Sequence, residues 1–203
     1  MEHRIPTTRE RILGEGLALL SREGLAGVTL GQLAAGVGMS KSGVFAHFRS
    51  KDEVQVGLLD HMAVVAGSIV VEPAMAEPEG LPRLESLVRR WFGWSSRAGL
   101  PGGCPVAAGM FELDDVEGPV RDKVAAMEAE WRGLLTGLVA RAVELGHLKG
   151  DLDIPQFVWE LCGIYLGHHT SQRFLRRPDA DDRARVAFGA LLDRARPVDP
   201  ASR

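Results

Sequence analysis

The chain is poor in sulfur and in rings. Its only two cysteines, Cys104 and Cys162, stand far apart, which excludes a disulfide framework and a thiolate metal site and suits a reducing, cytosolic setting. Aromatic residues make up 6%, with a single tyrosine. The longest apolar run, Met62 to Val71 (MAVVAGSIVV), is about half of the ~20 residues that a membrane helix needs, and Gly67 and Ser68 interrupt it. No membrane partner is expected. The first ten residues, MEHRIPTTRE, hold no apolar h-region, so no signal peptide is expected. G-x-S-x-G, P-loop and Rossmann fingerprints are all absent. His168 and His169 with Gln172 make a poor metal site, because only His168 shares a helix face with Gln172 and no carboxylate joins at ligand spacing. No catalytic residue, metal or cofactor is therefore expected. Strand-like alternation is scarce, and there is no internal repeat.

What is present is an ordinary apolar fraction, 45%, and an uneven charge. The net charge is -3. Residues 1–51 carry seven basic side chains against four acidic ones, so that the head is positive and the remainder acidic. A basic head on an acidic body suits a protein that presents one end to a polyanion.

Capping signals divide the head into short helices. Thr7-x-x-Glu10 reads as a capping box, in which hydroxyl and carboxylate each take an orphan backbone N–H. Ile12, Leu13, Leu17 and Leu20 follow at helical spacing, and Gly24 ends the helix. Thr29-x-x-Gln32 opens a second helix with Leu30, Leu33 and Ala34, ending at Gly36-Val37-Gly38. Ser40 caps a third helix, expected to reach Phe48. Ser50-x-x-Glu53 opens a fourth, expected to run to about Val71.

The stretch MSKSGVFAHFRSK, Met39 to Lys51, is thus the second half of a helix-turn-helix. Val44, Phe45 and Phe48 are expected to pack on Leu17, Leu33 and Val37. Ser40, Lys41, Ser42 and Gly43 face outward, where a recognition helix reads base edges. Gly43 keeps that surface low. The starts of the second and fourth helices offer N–H groups to phosphate. A lysine in a first turn, Lys51, opposes the helix dipole and is better explained by phosphate.

ILGEGLALLSREGLAGVTLGQLAAGVGMSKSGVFAHFRSKDEVQVGLL, residues 12 to 59, resembles the TetR-type repressors, the tetracycline-repressor family. The "G-V-T-L" entry, the "A-x-x-V-G-M-S-K" turn and the "H-F-x-S-K-D-E" exit fall in the family's order and spacing. The resemblance implies that Thr29, Lys41, Ser42, Gly43, Phe45, His47 and Lys51 face DNA. The family usually has a phosphate-bonding tyrosine where this chain has Phe45, and many members carry a longer side chain at the position of Gly31. The resemblance also implies an all-α fold: a three-helix helix-turn-helix domain, then a helical body that holds an inducer and pairs with a second subunit through its last two long helices.

The boundaries read as 1–50 for the DNA-binding domain, 51–196 for the ligand-binding and dimerisation domain, and 197–203 for a disordered tail. Glu72 to Pro82, with three prolines, reads as a loop. Helices are expected at about 82–98, 104–113, 119–146, 154–175 and 180–195.

Trp91, Trp94, Met110, Phe111, Met127 and Trp131 are, as a set, the candidate ligand-binding residues, although such stripes at helical spacing are more often plain core one by one. Cys104, after two glycines, could be a reactive thiol or a small packed residue. Phe157, Leu161, Ile164, Tyr165, His168, Phe188 and Leu192 are the candidate dimer interface, where Gly163, Gly167 and Gly189 would allow close helix approach. The expected function is a cytoplasmic, ligand-responsive repressor: a homodimer on a double-stranded, pseudo-palindromic operator, released by a small, largely apolar inducer. The alternative is a small-molecule carrier or an enzyme built on the body, with a vestigial DNA-binding head.

Overall fold

The structure, a computed structural model, describes residues 6–197. The described residues form helices and no strand. In order these are α1 (Thr8–Gly27), α2 (Leu30–Val37), α3 (Lys41–Phe45), α4 (Lys51–Ala66), a π-helical turn (Gly67–Val71), α5 (Glu72–Met75), α6 (Leu81–Trp91), α7 (Trp94–Arg97), α8 (Pro105–Glu112), α9 (Pro119–Glu144), α10 (Ile154–Arg173) and α11 (Ala180–Ala195). The tail expected to be disordered lies, from residue 198 on, outside the described residues.

The chain gathers into two compact units, Met1–Ala66 with Ser95–Met127, and Gly67–Trp94 with Glu128–Arg203. In the first, α1 packs on α2, α4 and α8, and α2 packs on α3. Ile12, Leu20, Leu33, Val44 and Leu58 are at most 1% exposed. A Cβ on Gly16 would lie 2.6 Å from Leu58 and 2.7 Å from Leu33, so glycine is what lets α1 sit this close to α2 and α4. In the second unit α5 packs on α6 and α10 on α11. Leu84, Leu87, Leu135, Val139 and Leu161 are fully buried there.

Two boxes form as expected. Thr7 Oγ1 accepts from the Glu10 N–H at 3.2 Å, and Glu10 accepts the Thr7 N–H at 2.7 Å. Thr29 and Gln32 do the same at 3.3 and 3.1 Å. The third is shifted: Ser50 accepts the Glu53 N–H at 3.1 Å, but Glu53 reaches back to the Arg49 N–H at 2.7 Å. Gly24, at φ 73 and ψ 179, breaks the end of α1.

Several expected boundaries are corrected. The third helix ends at Phe45, not Phe48, because the chain turns there to bury Phe48, 1% exposed beneath the Arg9 guanidinium. Residues 72–75 are helical rather than loop. Pro73 falls in the first turn of α5, where its missing N–H costs nothing. The single helix expected at 82–98 is two, broken at Gly93, whose φ is 69. The stretch Lys51–Met75 is, by length and composition, long and apolar enough to cross a membrane. However, it begins Lys51-Asp52-Glu53 and buries Val54, Leu58, Leu59 and Met62, the pattern of a core helix.

The 99–104 loop approaches α1 closely. The N–H groups of Gly102 and Gly103 donate to Ser21, to its hydroxyl at 3.2 Å and its carbonyl at 3.1 Å. A Cβ on Gly102 would lie 1.6 Å from that carbonyl oxygen. Gly102→Ala should therefore lower stability by about 3 kcal/mol, read as a fall in urea midpoint at unchanged slope. Ala substitution at Gly133, where nothing lies within 4 Å, should leave the midpoint unchanged or raise it.

Candidate nucleic-acid interface and aromatic core

α2, α3 and the start of α4 place the DNA-facing candidates. Ser40 caps α3 by accepting the Gly43 N–H at 3.1 Å, and its hydroxyl lies 3.0 Å from that of Ser42. Gly38, in the left-handed region at φ 67, sets the turn between α2 and α3. Thr29, Lys41, Ser42, Phe45, His47 and Lys51 are exposed, and Gly43 is half-buried.

Phe45 corrects an expectation. It is 51% exposed while Val44 and Phe48 are buried, so the outward face of α3 carries an aromatic ring. Such a ring can meet a thymine methyl or sugar edge, but it supplies no hydroxyl. Gly31 has a steric role. A Cβ there would lie 3.0 Å from Lys41 Cε and 3.5 Å from Lys41 Nζ, so the bare glycine lets the lysine lie across the start of α2. Lys51 Nζ donates to the Ala26 carbonyl at 3.1 Å. That bond uses one of its three donors and leaves the others to solvent or phosphate.

The same backbone is held by two more side chains. Gln55, 7% exposed, donates to the Leu25 carbonyl at 2.5 Å. Glu112, at the end of α8, accepts the Ala26 N–H at 3.1 Å. Glu112 is thus an anchor for the backbone that leads from α1 into α2. No local motif marks a contact between residues this distant in sequence.

The ligand candidates divide between the units. Met110 and Met127 are half-buried and Phe111 is 61% exposed in the first. Trp91, Trp94 and Trp131 come together in the second. Trp91 stacks on Tyr165 with centroids 4.0 Å apart and planes 14° apart, and meets Trp131 at 4.9 Å. Trp94 Nε1 donates to the Tyr165 hydroxyl at 3.2 Å. The Trp131 indole N–H is buried and is the one such side-chain group among the described residues without a partner. Cys162 is buried, and desolvation pushes its thiol up from the usual range, which leaves it a poor nucleophile. Cys104 is buried as well.

The dimer candidates are placed differently from expectation. Phe157, Leu161, Tyr165, His168, Phe188 and Leu192 are each at most 7% exposed within the single chain, and only Ile164 is half-buried. His168 bonds Asp181 at 2.6 Å and lies 5.5 Å from the Phe92 ring. These side chains are the core between α6, α10 and α11. The stripe left open instead carries Trp159, 65% exposed, Gly163 and Gly167 on α10, with Val186, 73% exposed, and Ala190 on α11. Gly163 and Gly167 were legible as candidates for close approach; Trp159 was not separable from core residues by periodicity.

Residues 12–55 match the family described as bacterial regulatory proteins, tetR family, and residues 80–188 match the tetracyclin repressor-like C-terminal domain. The chain belongs to the TetR family of transcriptional regulators. It is 28% identical over 184 residues to the nucleoid occlusion factor SlmA of Cronobacter sakazakii, an alignment covering 87% of this chain and 90% of that protein. Among solved structures, a TetR-family regulator from Cytophaga hutchinsonii matches with a TM-score of 0.83 at 16% identity, over 97% of this chain and all of that one (100%). CifR, a TetR-family regulator solved with 26-base-pair double-strand operator DNA, matches with a TM-score of 0.74 at 20% identity, over 93% and 98%.

Two substitutions test the face. Phe45→Tyr should tighten binding to the gene's own upstream DNA by about 1 kcal/mol through an added phosphate bond, with base preference unchanged. Lys41→Ala should change base preference by about 1–3 kcal/mol at one position of each half-site. A binding-site selection with both variants checks the pair.

Proposed function

We propose that the protein is a repressor that binds a pseudo-palindromic operator as a homodimer, with one Lys41–Phe45 helix in each of two major grooves. A small, largely apolar inducer releases it. The observation that carries the reading is the exposed set Thr29, Lys41, Ser42, Phe45, His47 and Lys51, spread over the start of α2, the length of α3, the turn that follows it and the start of α4. A vestigial head would have no reason to keep these side chains outward and the caps beneath them intact. In this reading the protein acts in the cytoplasm and has no catalytic step.

The dimer face is the open stripe of α10 and α11. Trp159 and Val186 are costly to leave in water, and a Cβ on Gly163 or Gly167 would meet no other part of the described residues within 4 Å, so a second pair of helices can approach closely. The two copies make a self-complementary bundle. Light scattering should report about twice the 22.0 kDa chain mass, and Trp159→Glu should yield monomers that keep their helix content.

The inducer sits against Trp91, Trp94 and Trp131. Its body covers the rings, and an acceptor on it satisfies the Trp131 indole N–H. Release needs the inducer to prefer the DNA-incompetent arrangement. The lever is α4, whose Lys51 and Gln55 hold the Leu25–Ala26 backbone. At its far end the regular α-helical ladder gives way to the π-helical turn Gly67–Val71. A small swing changes the spacing of the two reading helices, which must match one turn of DNA, about 34–36 Å. Coupling of this kind is about 1–3 kcal/mol and reciprocal. The test titrates inducer and operator each in the presence of the other, with tryptophan fluorescence reporting inducer. Operator should weaken inducer binding by the factor by which inducer weakens operator binding. Quenched tryptophans with unchanged operator affinity would refute induction and favour the carrier reading.

A further inference from the structure

A cleft of about 280 Å³ opens in the second unit between α6 and α11. Its floor is apolar: Phe92, Phe188 and Leu192 line it, and the two rings meet edge-on with centroids 6.5 Å apart. Its rim is basic, with Arg89, Arg185 and Arg196. Two carboxylates share that rim, Glu85 and Asp193, and Arg196 holds both, at 3.4 and 3.3 Å. Arg185 is paired with Asp182. Arg89 is exposed and makes no ion pair among the described residues. Its natural helix partner at i−4, Glu85, is the carboxylate that Arg196 engages. The cleft therefore has one guanidinium whose charge is uncompensated, above a floor of rings.

An apolar floor draws an apolar body. A free guanidinium presents a planar fork of donors that matches a carboxylate or phosphate. Gly189, also on the wall, leaves room, since a Cβ there would meet nothing within 4 Å. We propose that this cleft is a binding site for an amphipathic organic anion, with the apolar chain on Phe92, Phe188 and Leu192 and the anionic head on Arg89. The assignment rests on neither DNA binding nor induction. Phe92 also lies 6.3 Å from Trp91 by ring centroids, so an occupant of the cleft touches a ring that belongs to the tryptophan cluster too.

The test uses octanoate as probe and 1-octanol as its neutral counterpart, each titrated calorimetrically into the full chain without DNA. The parent should bind octanoate saturably, and more weakly as salt is raised. Arg89→Ala should weaken octanoate about tenfold, the loss expected for one charge-assisted hydrogen bond, and leave 1-octanol unchanged. That split would not follow from a merely structural role. Gly189→Leu fills the cleft and should reduce binding of both. Three results would overturn the proposal: no saturable binding of octanoate by the parent, equal octanoate affinity in Arg89→Ala, or full affinity in a folded Gly189→Leu. Because no readout involves DNA, a failure here leaves the repressor reading standing, and a failed operator assay leaves this one.

Discussion

The reading head depends on a few hydrogen bonds at the backbone of Leu25 and Ala26. Gly24 takes a left-handed φ that kinks the last turn of α1 and sends Leu25 into the core, where it is 1% exposed. A chain that leaves its helix this way strands carbonyl and amide groups, and buried backbone groups must find partners. Those partners come from other helices: Gln55 for the Leu25 carbonyl, Lys51 for the Ala26 carbonyl and Glu112 for the Ala26 N–H. The entry into α2 is therefore set by α4 and α8. These bonds tie both helices to the segment that leads to Thr29, and α2 in turn packs on α3.

Short helices make that control effective. α2 has eight residues and α3 five, well below the roughly 12–15 at which an isolated helix becomes even marginally stable. Neither can hold an orientation alone. Each is held by its cap and by the few side chains it buries, Leu33 and Ala34 for α2 and Val44 for α3. The bare Gly31 beneath Lys41 shows the same economy at the surface: the absence of one side chain sets the course of another.

Much of this was legible in the sequence. The caps at Thr7, Thr29 and Ser40 were readable because capping is local, requiring only a hydroxyl and a partner three residues on. Local chemistry also explains why the Ser50 box was nearly right, since Glu53 found an N–H one residue earlier. The end of α3 was misjudged because it is decided by Phe48 seeking the core beneath Arg9. The helix at Pro73 and the break at Gly93 show the same proline and glycine rules working in opposite directions, according to whether the residue begins a helix or ends one. The hold of Glu112 on Ala26 left no sequence signal at all, being a contact across 86 positions.

The dimer assignment shows the sharper limit. Helical spacing groups Phe157, Leu161, Tyr165 and His168 on one side of α10, and Trp159, Gly163 and Gly167 on another. Both sides carry apolar or small residues, so periodicity cannot tell which is covered by the chain itself. The first set was read as partner-facing, but it is buried within the single chain, where Tyr165 stacks against Trp91 and Phe92. The rings had a nearer use than oligomerisation. Phe92 contacts the Trp91–Tyr165 stack, His168 and Phe188, and it forms part of the floor of the cleft beneath Arg89. A close-packed interior transmits such displacements rather than absorbing them. In this unit, therefore, the rings that stabilise the α6–α10–α11 core are also the ones through which an occupant of the cleft would be sensed at the tryptophans.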